Sequence, residues 1–270
     1  MKKDNSPIPL FWWSEIKFTF KQKENYGDLL SRYLVEKISG KKVQWVHPKK
    51  QYWYKWNRTN YMAVGSILHH ATGDSIIWGS GIIDRKHPVA AAEFRAVRGP
   101  RTRDYLLGLG YECPEIFGDP ALLLPEFFNP ETEKKYKMGV IPHYHDFKIA
   151  KEMFEGNGEV LVIDLMTMDV EEVTRQIMSC EKTMSSSLHG LIVSHAYKIP
   201  SVWVEFSDKL FGDGIKFADY FESVGLQVYS PPFLKKGEFS EKPFEVSQKL
   251  PPMGQIENLK NGLMQTCPFV

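Results

Sequence analysis

Cysteine is scarce in this chain. Cys113, Cys180 and Cys267 are the only three among 270 residues, far apart and never in CxxC spacing. That excludes a disulfide framework and a structural zinc finger, and a reduced cytoplasmic setting is expected. An excess of one charge is missing too: 34 basic residues meet 33 acidic ones. Such a balance excludes a polyanion binder working through bulk charge, although it leaves local patches open. No run of about 18 apolar residues occurs, so no transmembrane helix is expected. The opening MKKDNSPIPLFWW is broken by prolines and lacks a small-residue cleavage site, so it does not read as a signal peptide. G-x-G-x-x-G, the P-loop and G-x-S-x-G are all absent, which removes three common nucleotide and nucleophile signatures. Internal repeats and low-complexity tracts are absent as well.

What is present alternates. Pro9 to Trp13 is a short apolar run suited to an opening strand. Leu29, Leu30, Tyr33, Leu34 and Ile38 then recur at helical spacing, with Gly40 as the stop. SIIW runs into Gly79-Ser80-Gly81, a tight turn of the kind that lets a ligand approach the main chain. A second helix is predicted from Pro100 to Gly110. Residues 125–137, with Pro130 and mixed charges, read as a linker, and a second series follows it. There MGVIPHYHD reads as a strand ending in His143 and His145, VLVIDL as a buried strand, and TMSSSLHG as a strand meeting a helix. Alternation on both sides of a linker predicts an α/β protein of two parallel-sheet domains. The expected bounds are 1–128 and 138–228, with 229–270 as an extension that packs back.

The polar residues gather where strands end, which is where small ligands bind in open α/β sheets. Ser185, Ser186, Ser187 and His189 lie at a strand-to-helix junction, a position that favours anions, and His189 suits proton transfer near neutral pH. Arg98, Arg101 and Arg103 crowd a helix start, an arrangement that asks for an anion nearby. Asp28 opens the helix after Asn25 and Gly27, where capping and catalysis are both open readings. His143 and His145 would face one way on a strand, but no third metal ligand has convincing spacing, and no metal is expected. Lys41 to Asn60 is rich in Lys, Trp and Tyr. An edge strand with a loop, a sugar-contacting surface and nucleic-acid stacking are its readings, in that order.

NYGDLLSRYLVEKISG, the strand ending in GSG, FRAVRGPRTRDYLLGLG with GDPALLLP, IPHYHD and SSSLHGLIVSHAYKIPSVW follow one another in an order similar to that of the polysaccharide pyruvyl transferase family. The resemblance runs from Asn25 to Gly225. It implies two Rossmann-like domains facing a cleft, as in GT-B glycosyltransferases. It also implies transfer of the pyruvyl group of phosphoenolpyruvate to two hydroxyls of a sugar, leaving a cyclic ketal in a capsule or exopolysaccharide. Phosphoenolpyruvate would be a co-substrate with no further cofactor. The acceptor would be a lipid-linked oligosaccharide repeat unit, met by a cytoplasmic protein with peripheral contact to the inner membrane face.

On that resemblance, His189 is the general acid, Asp28 the base, and Arg98 holds one anionic group of the donor. Ser186, Ser187, Leu188 and Gly190 hold the other, with Arg101, His143, Lys209 and Lys216 in support. Asn25, Gly27, Gly79, Ser80 and Gly81 form acceptor-side or cleft backbone. Many members carry arginine where this chain has Ser187, so Arg98, Arg101 or Lys216 has to replace that contact. A GT-B glycosyltransferase using a nucleotide sugar, with Glu205 on the ribose, is the alternative. A carbohydrate-binding protein without catalysis ranks below it.

Overall fold

A computed structural model describes residues 6–52, 54–208, 213–235, 244 and 250–270. The first half runs β1 (Ile8–Phe11), α1 (Glu15–Thr19), β2 (Glu24–Asn25), α2 (Tyr26–Ser39), β3 (Val43–Trp45), β4 (Asn60–Met62), β5 (Ser75–Trp78), β6 (Glu93–Ala96), α3 (Pro100–Gly108) and α4 (Leu124–Phe127). The second continues with β7 (Tyr136–Ile141), α5 (Phe147–Met153), β8 (Val160–Val162), β9 (Met166–Thr167), α6 (Val170–Met178), β10 (Cys180–Ser185), α7 (Leu188–Ala196), β11 (Ser201–Trp203), α8 (Ile215–Ser223) and α9 (Gln255–Gln265).

Two parallel sheets result, in the α/β class that the alternation predicted. One has the order β3-β1-β4-β5-β6 and the other β11-β10-β7-β8. A third, two-residue ladder joins the halves: β2 pairs antiparallel with β9, Glu24 opposite Thr167 and Asn25 opposite Met166.

The predicted helix at Leu29 to Ile38 is α2. Its apolar stripe turns inward, and Gly40 ends it in the left-handed region at φ 65°, where a side chain would be strained. The inward face does not serve one half alone. Tyr26, Leu30 and Leu34 share one apolar core with Val173 and Ile177 of α6 and Leu191 of α7. Each fully buried aliphatic side chain there contributes about 1.5–3 kcal/mol. The Tyr26 hydroxyl meets Thr174 Oγ1 at 2.8 Å and the Tyr33 hydroxyl donates to Glu171 at 2.8 Å, so the seam is bonded as well as packed. At the far end, α9 lies on the first sheet, where Trp78 Nε1 donates to the Leu263 carbonyl at 2.8 Å.

Three local expectations are corrected. The strand through Met138 stops at Ile141, and His143 and His145 fall in the turn after it, because Pro142 cannot donate to the ladder. β8 is half-buried at all three positions, as an edge strand, rather than fully buried. Asp28 does not cap α2. Asn25 does, its side chain accepting from the Gly27 amide at 2.9 Å.

Candidate active site

A cavity of about 500 Å³ opens between the carboxyl ends of the two sheets. From the first half it takes Trp13 and Glu15 after β1, Gly65 and Ser66 after β4, and Asp28 from the first turn of α2. From the second half come His143 and Tyr144 after β7, Ser187 to His189 after β10, and Lys216 of α8. Strand ends supply these positions because each parallel strand hands the chain to a loop at the same edge of its sheet.

Asp28 and Lys216 set the electrostatics. The Asp28 carboxyl is pushed well above the usual carboxylate range, by burial first and then by the negative charges of Glu15 and Glu24, with Lys216 working against the shift. The Lys216 ammonium is pulled down to about 8, by burial and then by the positive charge of Arg98, with Asp28 opposing. Each member of this acid–base pair is therefore less willing to hold its charge than it would be in water. Glu15 is tuned the other way. Burial would raise it, yet hydrogen bonds from Lys21, Thr19 and Trp13 hold it below the ordinary range. Tyr144 also donates to it, at 3.2 Å. Glu15 is thus a fixed negative charge at one end of the cavity.

The β10–α7 junction is held by its own serines. Ser185 Oγ donates to the Ile141 carbonyl at 2.8 Å and accepts from the Ser187 amide at 3.0 Å. Ser186 Oγ accepts from the His143 amide at 2.9 Å. Ser187 precedes the helix without a side-chain cap bond, and with Leu188 it lines the cavity. Gly190 is obligatory, since a Cβ there would fall 2.3 Å from Ser185 Oγ. His143 Nδ1 accepts from the His145 amide at 3.4 Å, which places the ring proton on Nε2. Burial, then Lys216 and His145, lower its pKa to about 3. The ring is a neutral donor at working pH.

His189 is positioned from below by an unexpected partner. Its Nε2 lies 3.6 Å from Asp119 Oδ2, and neither buried atom has a hydrogen bond among the described residues. Asp119 is fully buried, with its other oxygen accepting from the Ala121 amide at 2.9 Å. The opposite side of the ring sits on Gly27, where a Cβ would come within 2.2 Å of Nδ1. The ring is thus held between Asp119 on its Nε2 side and the Gly27 backbone on its Nδ1 side.

The structure gathers part of the predicted set. Asn25, Asp28, His143, Ser187, Leu188, His189 and Lys216 all line the cavity. Gly27, Ser186 and Gly190 stand directly behind it as packing and hydrogen-bond supports. Arg98 does not reach it. Its guanidinium is wholly buried and donates to Asp219 at 3.0 Å, to Ser66 and to the Ile82 carbonyl, so its fork is spent inside the protein. Arg101 forks onto Glu222 on the outer face at 2.8–3.1 Å. Of the three cations suggested to compensate for Ser187, Lys216 is the one on the cavity wall. Gly79 packs on Pro120, Ser80 donates to the Ala63 carbonyl, and Gly81 makes room for Arg98, so this turn supports the wall without lining it. Glu205 lines a separate groove with Trp203 and Tyr229, and Lys209 lies outside the described residues.

Sequence reasoning missed Trp13, Glu15, Ser66, His69, His87 and Tyr144 on the wall, and Asp119 behind it. Their signal was position: most follow a strand end within a few residues. Among the described residues no three His, Cys, Asp or Glu side chains converge as metal ligands do, and no helix is long and apolar enough to cross a membrane.

A family model for polysaccharide pyruvyl transferase matches residues 25–208. That span holds every cavity residue except Trp13, Glu15, Thr19 and Lys216. The chain is similar to an uncharacterised protein of Acanthamoeba polyphaga mimivirus, at 35% identity over 215 residues, 77% of this chain and 74% of that protein. It is also similar to the succinoglycan biosynthesis protein ExoV of Rhizobium meliloti (strain 1021), at 25% identity over 237 residues, 83% of this chain and 66% of that protein. With well over half its length matched and its cavity built from the matched span, the chain belongs to the polysaccharide pyruvyl transferase family.

Proposed function

We infer that this enzyme moves the pyruvyl group of phosphoenolpyruvate onto two hydroxyls of a sugar, forming a cyclic ketal during the synthesis of a surface polysaccharide. The observation that carries the reading is the convergence, in one cavity, of Lys216, the α7 N-terminus and His189 opposite the carboxyl of Asp28. A cation and a helix N-terminus suit a ligand with a carboxylate and a phosphate. The two facing parallel sheets are compatible with a GT-B-like pair of Rossmann-type domains, which is the architecture we assign.

The chemistry asks for one proton in and two hydroxyl protons out. His189 delivers a proton to the methylene carbon of the donor, and the cationic centre left at the neighbouring carbon is attacked by the first sugar hydroxyl. Asp28, in its ionised form, receives that hydroxyl's proton, and its raised pKa makes that carboxylate a stronger base than an exposed aspartate. Phosphate then leaves with its oxygen, held by Lys216, and the second hydroxyl closes the ring. Its proton ends on phosphate. His143, a neutral donor, and the Ser187 hydroxyl complete the donor pocket. Arg98 acts at one remove, by fixing Ser66 and by its charge on Lys216. The acceptor reaches the cavity from the side of Trp13, Glu15 and Tyr144, as a lipid-linked repeat unit.

Mass spectrometry of a sugar panel incubated with the enzyme and phosphoenolpyruvate tests the reading. The expected product has gained one pyruvyl ketal, with release of one phosphate. His189→Ala should lower the rate by about a hundredfold or more. Transfer of a sugar from a nucleotide sugar, with no use of phosphoenolpyruvate, would overturn it.

A further inference from the structure

Two sugar hydroxyls enter a cyclic ketal, and each must give up a proton. Asp28 is neutral once it has taken the first, so the second hydroxyl needs another base. Two of the cavity histidines are poor substitutes. Burial and then neighbouring positive charge pull His69 down to about 4 and His143 to about 3, so neither gains a proton near neutral pH.

His87 is built differently. It stands on the loop after β5 and lines the cavity beside His69, with 5.3 Å between the ring centres. Its Nδ1 lies 2.9 Å from both carboxylate oxygens of Asp84. Asp84 is buried, and its Oδ1 also accepts from the amides of Lys86 at 2.8 Å and His87 at 3.0 Å. Burial would raise its pKa, yet the His87 ring and these amides hold it below the ordinary carboxylate range, so it stays a fixed negative charge. A carboxylate at Nδ1 keeps the ring proton there and puts the lone pair on Nε2. It also steadies the imidazolium that forms when Nε2 gains a proton. The backbone under the pair is tied down as well. The Tyr105 hydroxyl donates to the His87 carbonyl at 3.3 Å, and the Tyr111 hydroxyl to the Val89 carbonyl at 3.1 Å.

We propose that His87 is the base for the second sugar hydroxyl and that Asp84 is its positioning residue, a role that rests on the ketal-forming reaction inferred for this cavity. After the first addition, one carbon carries the methyl group, the carboxylate, the sugar oxygen and the phosphate ester oxygen. The bond to the phosphate oxygen breaks, and its electron pair leaves with phosphate. The second hydroxyl oxygen forms the new bond to that carbon. Its proton passes to His87 Nε2 and from there to the released phosphate.

The test uses the full chain, phosphoenolpyruvate and the sugar of the panel that the parent converts. His87→Ala should lower ketal formation by about a hundredfold or more. The acceptor should instead gain the whole mass of phosphoenolpyruvate, as the adduct that still carries phosphate, and imidazole in the buffer should restore part of the ketal rate. Asp84→Asn should lower the same rate with no response to imidazole. Thermal stabilisation by phosphoenolpyruvate should match the parent's in both variants, which reports a folded chain and an intact donor pocket. Relief by imidazole or appearance of the adduct each supports the role. A parent-like ketal rate in His87→Ala would overturn it, and so would a loss with neither sign, as expected of a ring that merely builds the wall. A parent that converts no sugar sinks the ketal-forming reaction and this role with it, whereas a converting parent matched by His87→Ala sinks this role alone.

Discussion

Asp28 shows what a single buried carboxyl can cost and supply. Its folded pKa is raised above its unfolded value, so ionising it in the native protein is unfavourable. That cost is absent below the unfolded pKa and grows as pH rises towards the folded one. Asp28→Asn removes it. The variant should melt higher than the parent at neutral and alkaline pH while losing pyruvyl transfer, and a variant that kept its rate would remove Asp28 from the chemistry. Lys216 has the opposite sign. With its pKa pulled down to about 8, it sheds its charge as pH climbs past that value. The KM for phosphoenolpyruvate should therefore rise above about pH 8, and Lys216→Met should show a high KM with no such limb. These residues also mark the limit of sequence reading. Arg98 read as an anion binder because its counter-charge, Asp219, lies 121 residues further along the chain. Asp119 gave no signal of its own because its partner His189 also lies far along the chain. An ionisable side chain announces that charge must be balanced, but one sequence cannot say whether a ligand or the protein balances it.

The helices and strands were more legible than the site, because each depends on neighbours three or four positions away. The stripe of α2 and its glycine stop, the parallel strands, and the strand-to-helix junction at Ser185–Ser187 all follow from local spacing. What spacing could not reveal is that α2 serves both halves, with its first turn pressed on a ring from α7. Gly27 is the point of contact. A Gly27→Ala change favours the helix by up to about 1 kcal/mol, yet its new methyl has to displace the His189 ring. Misplacing a reacting group by about 1 Å costs on the order of a hundredfold in rate. Gly27→Ala should thus keep a melting temperature near the parent's while kcat falls by about that factor, and a parent-like kcat would show that the ring position is not critical.

At the scale of the whole molecule, α3 and α8 are clamped by buried charge. Asp219 accepts from Arg98, from the Thr102 hydroxyl at 2.7 Å and from the Thr102 amide at 2.9 Å, and Gly99 leaves no room for a side chain against it. Removing one member strands the other. Arg98→Met should cost about 3–5 kcal/mol of stability by denaturant unfolding, even though the arginine touches no cavity space. In whatever fraction stays folded, the lost positive charge should move the alkaline limb of the Lys216 profile upward, since Arg98 is one of the groups holding that lysine down. A loss of stability with an unmoved limb would separate the two roles.

Asn25 is at once a rung of the β2–β9 ladder, the cap of α2 and part of the cavity wall. The consequence concerns the clock of turnover. A hinge that opened the cavity by swinging the sheets apart would have to strip that rung, uncap the helix and expose the core shared by α2, α6 and α7. Admission and release of reactants therefore need a route that leaves this rung paired and the helix capped.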